Sequence, residues 1–245
     1  MKIPKSHPRY NSLRTRDLIV KGVEKGITSI HGLIAHGRGE SFDYLIGEKT
    51  NDFAKISIDS AAALLLLAKY PVISVNGNAA ALVPKELAEL SKILGCPLEV
   101  NIFHTSKLRE IKIKKYLKKF GAKNVLLPQK YTKIKFLESN RKYTNSNGIL
   151  KADVVFVPLE DGDRAEALIK NGKKIITIDL NPLSRTAQMA TISIIDNITR
   201  GIPLLIKTIK QYRKNNRDKL KKIIKKYNNK NNLKKSLNYI FQNLS

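Results

Sequence analysis

Short segments with apolar residues at consecutive positions constrain the fold of this chain more than any other feature of its sequence. Residues 154–157 (VVFV) and 175–178 (IITI) are two such segments. A strand with one face in water alternates apolar and polar residues, so a strand without this alternation is expected to be buried on both faces. Segments with helical spacing of apolar residues separate these strands. This alternation predicts an α/β fold with a mostly parallel sheet and helices on both faces.

Caps, glycines and prolines mark the boundaries of the predicted elements. A first helix is predicted to begin near Ser12 and to end at Gly26, and Pro84 suits the first turn of a later helix. The other helices are predicted at residues 53–69, 106–120, between 158 and 174, and from about 197. Strands are predicted at residues 71–76, 98–103, 124–128, 153–158, 174–180 and 191–196. Residues 128–150 lack clear periodicity, and we interpret them as a loop or lid.

Length and composition limit the class of protein. A chain of 245 residues can bury a full α/β core. We predict a single domain with an N-terminal helical segment (1–70), an α/β core (71–206) and a basic helical tail (207–245). The longest aliphatic block, residues 61–68, is far shorter than the roughly 18 residues that a membrane span needs. The N-terminus does not have the pattern of a secretory signal either, so we expect a cytoplasmic protein with no membrane association.

The net charge of the chain is +26, and +12 of it lies from Lys207 onward, where 13 Lys and Arg stand against Asp218. Leucine and isoleucine recur in this tail at helical spacing, so we predict a basic amphipathic helix. A basic surface is the electrostatic footprint of nucleic-acid binding. A second interpretation is a compositional drift toward Lys, Asn and Ile, which raises the charge without selecting a polyanion. We favour the drift, so nucleic acid is not the expected partner.

Common signatures of nucleotide binding and hydrolysis are absent from the sequence. It contains no G-x-x-x-x-G-K-[ST] loop, no G-x-G-x-x-G after a strand and no G-x-S-x-G elbow. His31 and His36 do not have the i, i+4 spacing of a helical zinc pair, so each is expected in the core or in a loop. A single cysteine, Cys96, allows neither an internal disulfide nor a cysteine-rich zinc site. The segment HGRG places Arg38 between glycines, which suits an anion site and equally suits a turn.

Polar residues follow four of the predicted strands at the point where each strand ends. In open α/β sheets ligands bind outside the carboxyl ends of the strands, so these clusters are expected to meet at one edge. Turn and cap roles explain any single cluster, and acids paired with arginines can also neutralise each other across a subunit contact. Four clusters together favour a site in which carboxylates hold a metal or an ammonium group and arginines bind phosphate. The clusters are Asn76, Gly77 and Asn78; Glu160, Asp161, Asp163 and Arg164; Asp179, Asn181, Ser184, Arg185 and Thr186; and Asp196 and Asn197.

Several segments of the sequence resemble the archaeal phosphopantothenate synthetases, also called 4-phosphopantoate–β-alanine ligases. They occur in order within residues 3–203, with weak similarity only through the loop of residues 128–150. Three small residues depart from the pattern of the family, because Ser41 and Gly201 stand in place of Ala and Ala165 stands in place of Thr. The segments are IPKSHPRYNSLRTRDLIVKGVEKGITSIHGLIAHGRGESFDYLIGE, PVISVNGNAAALVP, LEVNIF, ADVVFVPLEDGDRAEAL and IDLNPLSRTAQMATISIIDNITR.

This resemblance implies a Rossmann-like fold, a homodimer and an ATP-dependent ligase of coenzyme A biosynthesis. Such an enzyme condenses (R)-4-phosphopantoate with β-alanine and releases AMP and diphosphate through an acyl adenylate. Activation is needed because a carboxylate does not condense with an amine at neutral pH. ATP and Mg²⁺ are therefore expected, since cationic groups offset the repulsion between two phosphorylated substrates.

The resemblance also implies which residues bind ATP. Arg16 and Arg38 look like phosphate-binding groups, and we expect Arg38 to act in the reaction as well. Asp179 at the end of a strand is suited to accept hydrogen bonds from ribose hydroxyls. The other expected contacts to ATP are Leu180, Asn181, Arg185, Thr186, Asn197 and Ile198.

Residues for the other two substrates are hypotheses. Glu160, Asp161 and Asp163 are candidates for holding Mg²⁺ or the ammonium group of β-alanine, and Asp161 and Asp163 are predicted to be essential for ligation. Asn76 is a candidate for binding an acyl oxygen. Two alternatives stay open: a basic nucleic-acid-binding protein, and an ATP-dependent ligase for another acid and amine, since pocket shape sets substrate choice.

Overall fold

The computed structural model of the protein describes residues 3–242, which contain eleven α-helices and six β-strands. The helices are α1 (Tyr10–Glu24), α2 (Ile30–Leu45), α3 (Asp52–Leu67), α4 (Gly77–Leu82), α5 (Pro84–Leu94), α6 (Lys107–Lys119), α7 (Gly162–Lys170), α8 (Arg185–Met189), α9 (Ile198–Tyr212), α10 (Arg217–Lys226) and α11 (Asn229–Gln242). The strands are β1 (Pro71–Val75), β2 (Leu98–Val100), β3 (Val125–Leu126), β4 (Val154–Pro158), β5 (Lys174–Ile178) and β6 (Ile192–Ile194).

All six strands form one sheet in the order β3-β2-β1-β4-β5-β6, and every pairing is parallel. The chain enters the middle of the sheet at β1, builds one half through β2 and β3, and then returns to build the other half from β4. This is the strand order of the Rossmann fold, and its switch point lies between β1 and β4. The predicted fold class and all six predicted strands are therefore confirmed.

Strand β4 shows why consecutive apolar residues indicate a doubly covered sheet. Successive side chains of a strand point to opposite faces. Val154 and Phe156 pack into the larger core cluster on one face, whereas Val155 and Val157 pack into a second cluster on the other. Each of these four residues is at most 2% exposed. Helices bury both faces, as the sequence predicts.

Local sequence fixes several helix ends. Pro84 occupies the first turn of α5, where its missing N–H has no intrahelical partner to lose. Gly95 ends the same helix with a φ of 64°, a left-handed conformation that glycine adopts without steric cost. The side chain of Asn197 accepts a hydrogen bond from the Thr199 amide at 3.1 Å and so caps α9.

Two helices near the sheet edge differ from the prediction. Helix α2 runs through the glycine- and histidine-rich segment, so HGRG is not a turn and Arg38 lies within a helix. Backbone amides inside a helix are already bonded, so only the guanidinium of Arg38 is available to an anion there. The short helix α4 follows β1 directly, where the sequence analysis placed no element.

The basic C-terminal tail is helical, as predicted, and it is divided into two helices, α10 and α11, which follow α9. Helix α9 also extends to Tyr212, beyond the predicted boundary between residues 206 and 207. Both tail helices pack on α3. Leu220 and Leu233 are buried there, which is the amphipathic arrangement that the apolar spacing predicts.

The N-terminal helices, the sheet and α9 share one hydrophobic cluster. Ile19 of α1, Ile58 of α3, Ile73 of β1 and Ile202 of α9 all belong to it. This shared core supports the single-domain prediction, which stays a prediction. Within residues 3–242, no helix combines the length and the apolar character that crossing a bilayer requires.

The loop of residues 128–150 contains only one short 3₁₀ turn, at Asn140–Lys142, and is held to the core by polar contacts. Glu99 of β2 accepts hydrogen bonds from the amides of Asn145 at 3.0 Å and Ile149 at 2.6 Å. Burial raises the pKa of Glu99 to about 7, although these two hydrogen bonds oppose the shift. Arg141, inside the 3₁₀ turn, is buried. The loop prediction is confirmed, and the loop reaches the sheet edge through this arginine.

Candidate active site

A cleft of about 590 Å³ runs along the carboxyl ends of the strands. Its floor consists of the loops that follow β2, β1, β4, β5 and β6, in that order across the sheet. Helix α2 forms its roof. The roof residues that line the cleft lie between Ser29 and Phe42. Open α/β sheets bind ligands at this edge, next to the switch point of the strand order.

Helix α2 crosses the strands, so positions along the helix correspond to positions across the sheet. His31 near its start packs against His104 after β2, with ring centroids 4.5 Å apart and ring planes tilted by 37°. Asp43 near its end accepts a hydrogen bond of 2.9 Å from Asn197 after β6. The helix rises about 18 Å between these two residues, and the four strand spacings from β2 to β6 amount to about 19 Å. The roof therefore covers the sheet edge from β2 to β6.

Asn76 and Leu159 meet in the centre of the cleft, where the strand order reverses. The Nδ2 of Asn76 donates to the carbonyl oxygen of Leu159 at 2.7 Å, and its Oδ1 accepts from the Ala79 amide at 2.9 Å. Leu159 has a φ of 59°, a left-handed conformation that costs a residue with a side chain about 1–2 kcal/mol. The Asn76 amide is thus bonded at both ends and holds the loops after β1 and β4 together.

Gly77 and Asn78 bring the start of the roof close to β1. A Cβ atom at Gly77 would lie 2.7 Å from the carbonyl oxygen of Ile27, so the close approach of the two loops requires glycine. Asn78 accepts a hydrogen bond from the Thr28 hydroxyl at 2.5 Å and donates to the Gly32 carbonyl at 2.8 Å. These contacts fix α2 above the loop after β1.

Beneath the centre of the cleft, the carboxylate of Glu160 is shared by two arginines. Arg164, one turn along the chain in α7, and Arg141, from the loop of residues 128–150, both form ion pairs with it. The exposed fraction of the Glu160 and Arg164 side chains is 0%, and that of Arg141 is 4%. Burial lowers the pKa of Arg164, whereas Glu160 raises it. Because both arginines engage Glu160, its carboxylate has no exposed surface for a substrate.

Asp161 is the acidic residue that faces the cleft at the end of β4. Its Oδ2 lies 2.5 Å from Nη1 of Arg141, and its side chain is 48% exposed. Arg141 in turn donates from Nε to Oδ1 of Asn101 at 2.9 Å. The buried arginine therefore positions Asp161 and joins the loops after β2 and β4.

Asp179 ends β5 and is held by the turn that follows it. The Asn181 amide donates to Oδ1 at 2.9 Å, and the Ser184 hydroxyl donates to Oδ2 at 2.5 Å. Burial raises the pKa of Asp179, and these two hydrogen bonds and the charge of Arg38 oppose the rise. A carboxylate fixed at a strand end in this way is suited to accept hydrogen bonds from ribose hydroxyls.

An ion-pair network closes the cleft after β6. Arg200 of α9 lies 2.5 Å from Asp43 and 2.7 Å from Asp196. Burial raises the pKa of Asp196, while Arg200 and the Thr50 hydroxyl lower it. Because Asp43 also accepts from Asn197, the network holds the end of α2 against the N-terminus of α9.

Basic and aromatic residues line the opposite end, beside β2. Arg109 in the first turn of α6 donates from Nη2 to the carbonyl oxygen of His104. The Nε of Arg109 is buried and has no hydrogen-bond partner within residues 3–242. Phe103, which is 53% exposed, packs edge-on against His104 with ring centroids 5.1 Å apart. We call this region, with Arg109, His104 and His31, the β2 end of the cleft.

Most residues that the sequence analysis assigned to the site line this cleft. They are Arg38, Asn76, Asp161, Asp179, Leu180, Asn181, Thr186, Asn197 and Ile198. Arg16, Asp163 and Arg185 do not line it. Arg16 pairs with Glu40 at 2.8 Å, Arg185 pairs with Glu166, and Asp163 is exposed in the first turn of α7. The function of each assigned residue stays a prediction.

Several cleft residues were missed by sequence reasoning. Arg141 lies in a loop without periodicity, so no local pattern marks it among the many basic residues of the chain. Arg109 carries one weak signal, its position in the first turn of a helix that follows a strand end. The expectation of a core or loop position is wrong for His31 and His36, which lie on α2 and line the cleft.

No group of three or more His, Cys, Asp or Glu side chains in the described part of the chain is placed to hold a metal ion. Glu160 is enclosed by arginines, and Asp161 is already paired with Arg141. Which of the carboxylates after β4 holds Mg²⁺ or an ammonium group stays a prediction.

The fold and the cleft define a class: Rossmann-like α/β proteins with an elongated substrate cleft at the switch point and one end suited to a nucleotide. Comparison with known proteins gives the family. Residues 53–243 match the family model of phosphopantothenate/pantothenate synthetases. The chain belongs to this family.

Curated relatives match the chain over almost its whole length. A protein of Thermococcus kodakarensis is 50% identical to this chain, and the match covers 99% of this chain and 94% of the relative. A protein of Thermococcus onnurineus is 51% identical, and the match covers 100% of this chain and 94% of the relative. A protein of Methanosarcina mazei is 49% identical over 99% of this chain and 95% of its own length. Each carries the name 4-phosphopantoate–β-alanine ligase. This chain is accordingly an enzyme of the ligase class.

Proposed function

We propose that this enzyme joins 4-phosphopantoate to β-alanine with ATP and releases 4′-phosphopantothenate, AMP and diphosphate, in coenzyme A biosynthesis. The observation that carries the proposal is one continuous cleft in which Asn76, Asp161 and Asp179 lie after neighbouring strands. The family and the names of relatives at about half identity support the choice of acid and amine.

The order of chemical steps follows from the need to activate a carboxylate. A carboxylate oxygen of 4-phosphopantoate attacks the α-phosphorus of ATP, and the bond to diphosphate breaks. The amine of β-alanine then attacks the acyl carbon of the adenylate, loses a proton, and AMP leaves with the electrons of the broken C–O bond. Both steps need the nucleotide and the acid side by side, and a cleft that spans five strand ends allows this arrangement.

The nucleoside is proposed to bind at the β5 and β6 end of the cleft. Asp179 has both carboxylate oxygens fixed by the following turn, so it is preorganised for ribose hydroxyls. Leu180 is 8% exposed, and Ile198 is 3% exposed. Together they give this end an apolar lining. Asn197 and Ile198 also lie at the N-terminus of α9, a position that favours negative charge.

The phosphates of ATP are proposed to lie toward the roof. Arg38 is exposed on α2, lines the cleft and acts electrostatically on Asp179. Arg16 pairs with Glu40 next to the cleft, and its charge assists burial in lowering the pKa of His36. Mg²⁺ is proposed to enter as part of the MgATP substrate, since the described residues do not provide a metal centre of their own.

The ammonium group of β-alanine is proposed to bind Asp161. Its side chain is half exposed at the centre of the cleft and is oriented by Arg141. The side-chain amide of Asn76 is bonded to Leu159 and Ala79, so Asn76 is proposed to hold the central loops in place and, in a second role, to contact the acyl oxygen. Asp163 and Arg185 are exposed beside the cleft, and we propose that they contact substrate only from its rim.

A homodimer is part of the proposal. Ile30 and Ile34, one turn apart on α2, are 66% and 62% exposed on a face that does not line the cleft. Leu45 of the same helix is 42% exposed. An exposed apolar stripe on a helix marks an interaction surface, and a second copy of the chain is the commonest partner for such a surface.

The direct test supplies ATP, Mg²⁺, 4-phosphopantoate and β-alanine and measures the products by mass spectrometry. Formation of 4′-phosphopantothenate and AMP is expected, and Asp161→Asn should abolish it while the circular dichroism spectrum is retained. Formation of ADP would contradict the adenylate route but not the ligase class. Product formed from other acids or amines at equal rates would favour a ligase of different specificity. ATP and Mg²⁺ should also raise the melting temperature more than DNA or RNA does.

A further inference from the structure

The β2 end of the cleft has a guanidinium group whose hydrogen-bonding capacity is incompletely used. Arg109 donates from Nη2 to the His104 backbone carbonyl, which holds the guanidinium at the loop after β2. Its Nε is buried and finds no acceptor within residues 3–242. Buried donors of a charged group are normally satisfied, and a guanidinium presents several donors in a planar fork that matches phosphate or carboxylate oxygens. The unused donor points to an anionic ligand.

Two histidines line the same end of the cleft as this guanidinium. His31 on the roof and His104 on the floor pack together with ring centroids 4.5 Å apart, so roof and floor meet there. Both residues and Arg109 line the cleft. Imidazole N–H groups donate hydrogen bonds to phosphate oxygens. The three side chains come from α2, the loop after β2 and α6, and only the tertiary structure brings them together.

The charge along the cleft is uneven. Its acidic lining residues are Glu160, Asp161 and Asp179, which follow β4 and β5. Within the described part of the chain, none of the residues that line the β2 end is acidic. An anion at the β2 end therefore meets positive charge without a competing carboxylate in the lining. In the middle of the cleft, Arg141 and Arg164 are instead neutralised by Glu160 and Asp161.

The length of 4-phosphopantoate fits this distribution of charge along the cleft. Its carboxylate must lie near the α-phosphate of ATP, in the middle of the cleft, and its phosphate is at the other end of the molecule. The path from the carboxyl carbon to phosphorus has five bonds and spans roughly 6 Å when extended. One to two strand spacings, about 5 to 10 Å, separate the centre at β1 and β4 from β2.

We propose that Arg109, with His31 and His104, forms the subsite that binds the phosphate group of 4-phosphopantoate and so selects the phosphorylated acid. This inference rests on the proposed function. The same side chains would also suit the terminal phosphates of ATP, which have the same chemistry, so the experiment must separate the two sources.

The test compares the wild type with Arg109→Gln and with a control, Lys115→Gln. Lys115 is exposed on the same helix, and its replacement removes the same charge. Calorimetric titrations measure the dissociation constants of 4-phosphopantoate, of pantoate without phosphate, and of ATP. Steady-state kinetics then measure KM for ATP and for 4-phosphopantoate separately.

For Arg109→Gln we expect the dissociation constant of 4-phosphopantoate to rise about 10- to 100-fold, since a charge-assisted contact to phosphate is lost. The constants for pantoate and for ATP should change less than about threefold, as should all three constants in Lys115→Gln. A rise for ATP alone would assign the subsite to the nucleotide and overturn the proposal. Equal wild-type affinity for pantoate and 4-phosphopantoate would overturn it as well.

Two further variants keep the test decisive if Arg109→Gln does not fold. His31→Asn and His104→Asn change exposed side chains and should each weaken 4-phosphopantoate binding severalfold without affecting ATP. No change in either variant would contradict the subsite. Failure of the proposed function looks different, because the wild type itself would then bind neither acid and form no 4′-phosphopantothenate.

Discussion

The guanidinium of Arg164 forms an ion pair with the carboxylate of Glu160, and neither side chain has any exposed surface. The pair lies directly under the centre of the cleft, and Arg141 joins it from the loop of residues 128–150. Charges in such a place are costly to desolvate, so each depends on the others for compensation. The floor of the cleft is therefore built on an ionic cluster.

Removing the shared carboxylate should destabilise the protein strongly. Glu160→Leu leaves two buried guanidinium groups without their common partner, and we expect a loss of about 3–5 kcal/mol in the free energy of unfolding. Urea denaturation measures it. Asp218→Ala, which breaks an exposed pair with Lys221, serves as the control and should cost at most about 1 kcal/mol. Equal effects of the two substitutions would show that the cluster does not stabilise the fold.

Asp179 should control the affinity for ATP in a pH-dependent way. Because burial raises the pKa of Asp179, its carboxylate takes up a proton at a higher pH than an ordinary aspartate does. In the proposed ATP complex the ionised form accepts hydrogen bonds from the ribose hydroxyls, so KM for ATP should rise as the pH falls into the acid range. Asp179→Asn should raise KM by about tenfold, as expected for a lost charge-assisted hydrogen bond, and should flatten its pH dependence. A KM that matches the wild type across this range would remove Asp179 from the nucleotide site.

Glu99 should make stability decrease as the pH rises toward neutrality. Its pKa is raised to about 7 in the folded protein from 4.5, chiefly by burial. The folded state therefore favours the protonated form, and the stabilisation present below pH 4.5 is lost between about pH 4.5 and 7. The loss is on the order of 3 kcal/mol. Denaturation at a series of pH values should show this slope in the wild type and a shallower one in Glu99→Gln, and parallel curves would contradict it.

Replacement by alanine should change the stability of the protein in opposite directions at two glycines near the cleft. A Cβ at Gly77 would meet the Ile27 carbonyl oxygen at 2.7 Å and Thr28 Cα at 2.9 Å, so Gly77→Ala should cost about 1–3 kcal/mol and lower ligase activity. A Cβ at Gly37, inside α2, would meet no atom within 4 Å. Gly37→Ala should therefore stabilise the protein by about 0.5–1 kcal/mol. Thermal denaturation of both variants checks the signs, and a stable, active Gly77→Ala protein would refute the close approach.

The proposed dimer should depend on the apolar stripe of α2. Ile34→Asp places a charge on a side chain that is 62% exposed, so it should shift sedimentation toward the monomer without unfolding the chain. Ile56→Asp changes a side chain on α3 that is 41% exposed and should leave the assembly unchanged. A wild type that sediments as a monomer at all concentrations would end the dimer proposal.

Local sequence patterns account for the sheet and for much of the cleft floor. Apolar residues at consecutive positions in β4 and β5 have one physical explanation, burial on both faces, and parallel strands then bring their following loops to one edge. For this reason Asn76, Asp161, Asp179 and Asn197 were predictable as neighbours before any coordinates. Pro84 and Gly95 likewise mark helix ends through backbone restrictions that operate locally.

The roof of the cleft and the ionic cluster beneath it depend on packing between segments that are distant in sequence. Glycines and histidines obscure the helical pattern of α2, and its position depends on the fit between Gly77 and Ile27, which are distant in sequence. Arg141 reaches Glu160 from a loop with no periodic signal, and Arg109 and His31 line the same end of the cleft although their helices are distant in sequence. Local sequence encodes backbone preference and burial pattern, whereas contacts between separate segments depend on how those segments pack, which no local pattern records.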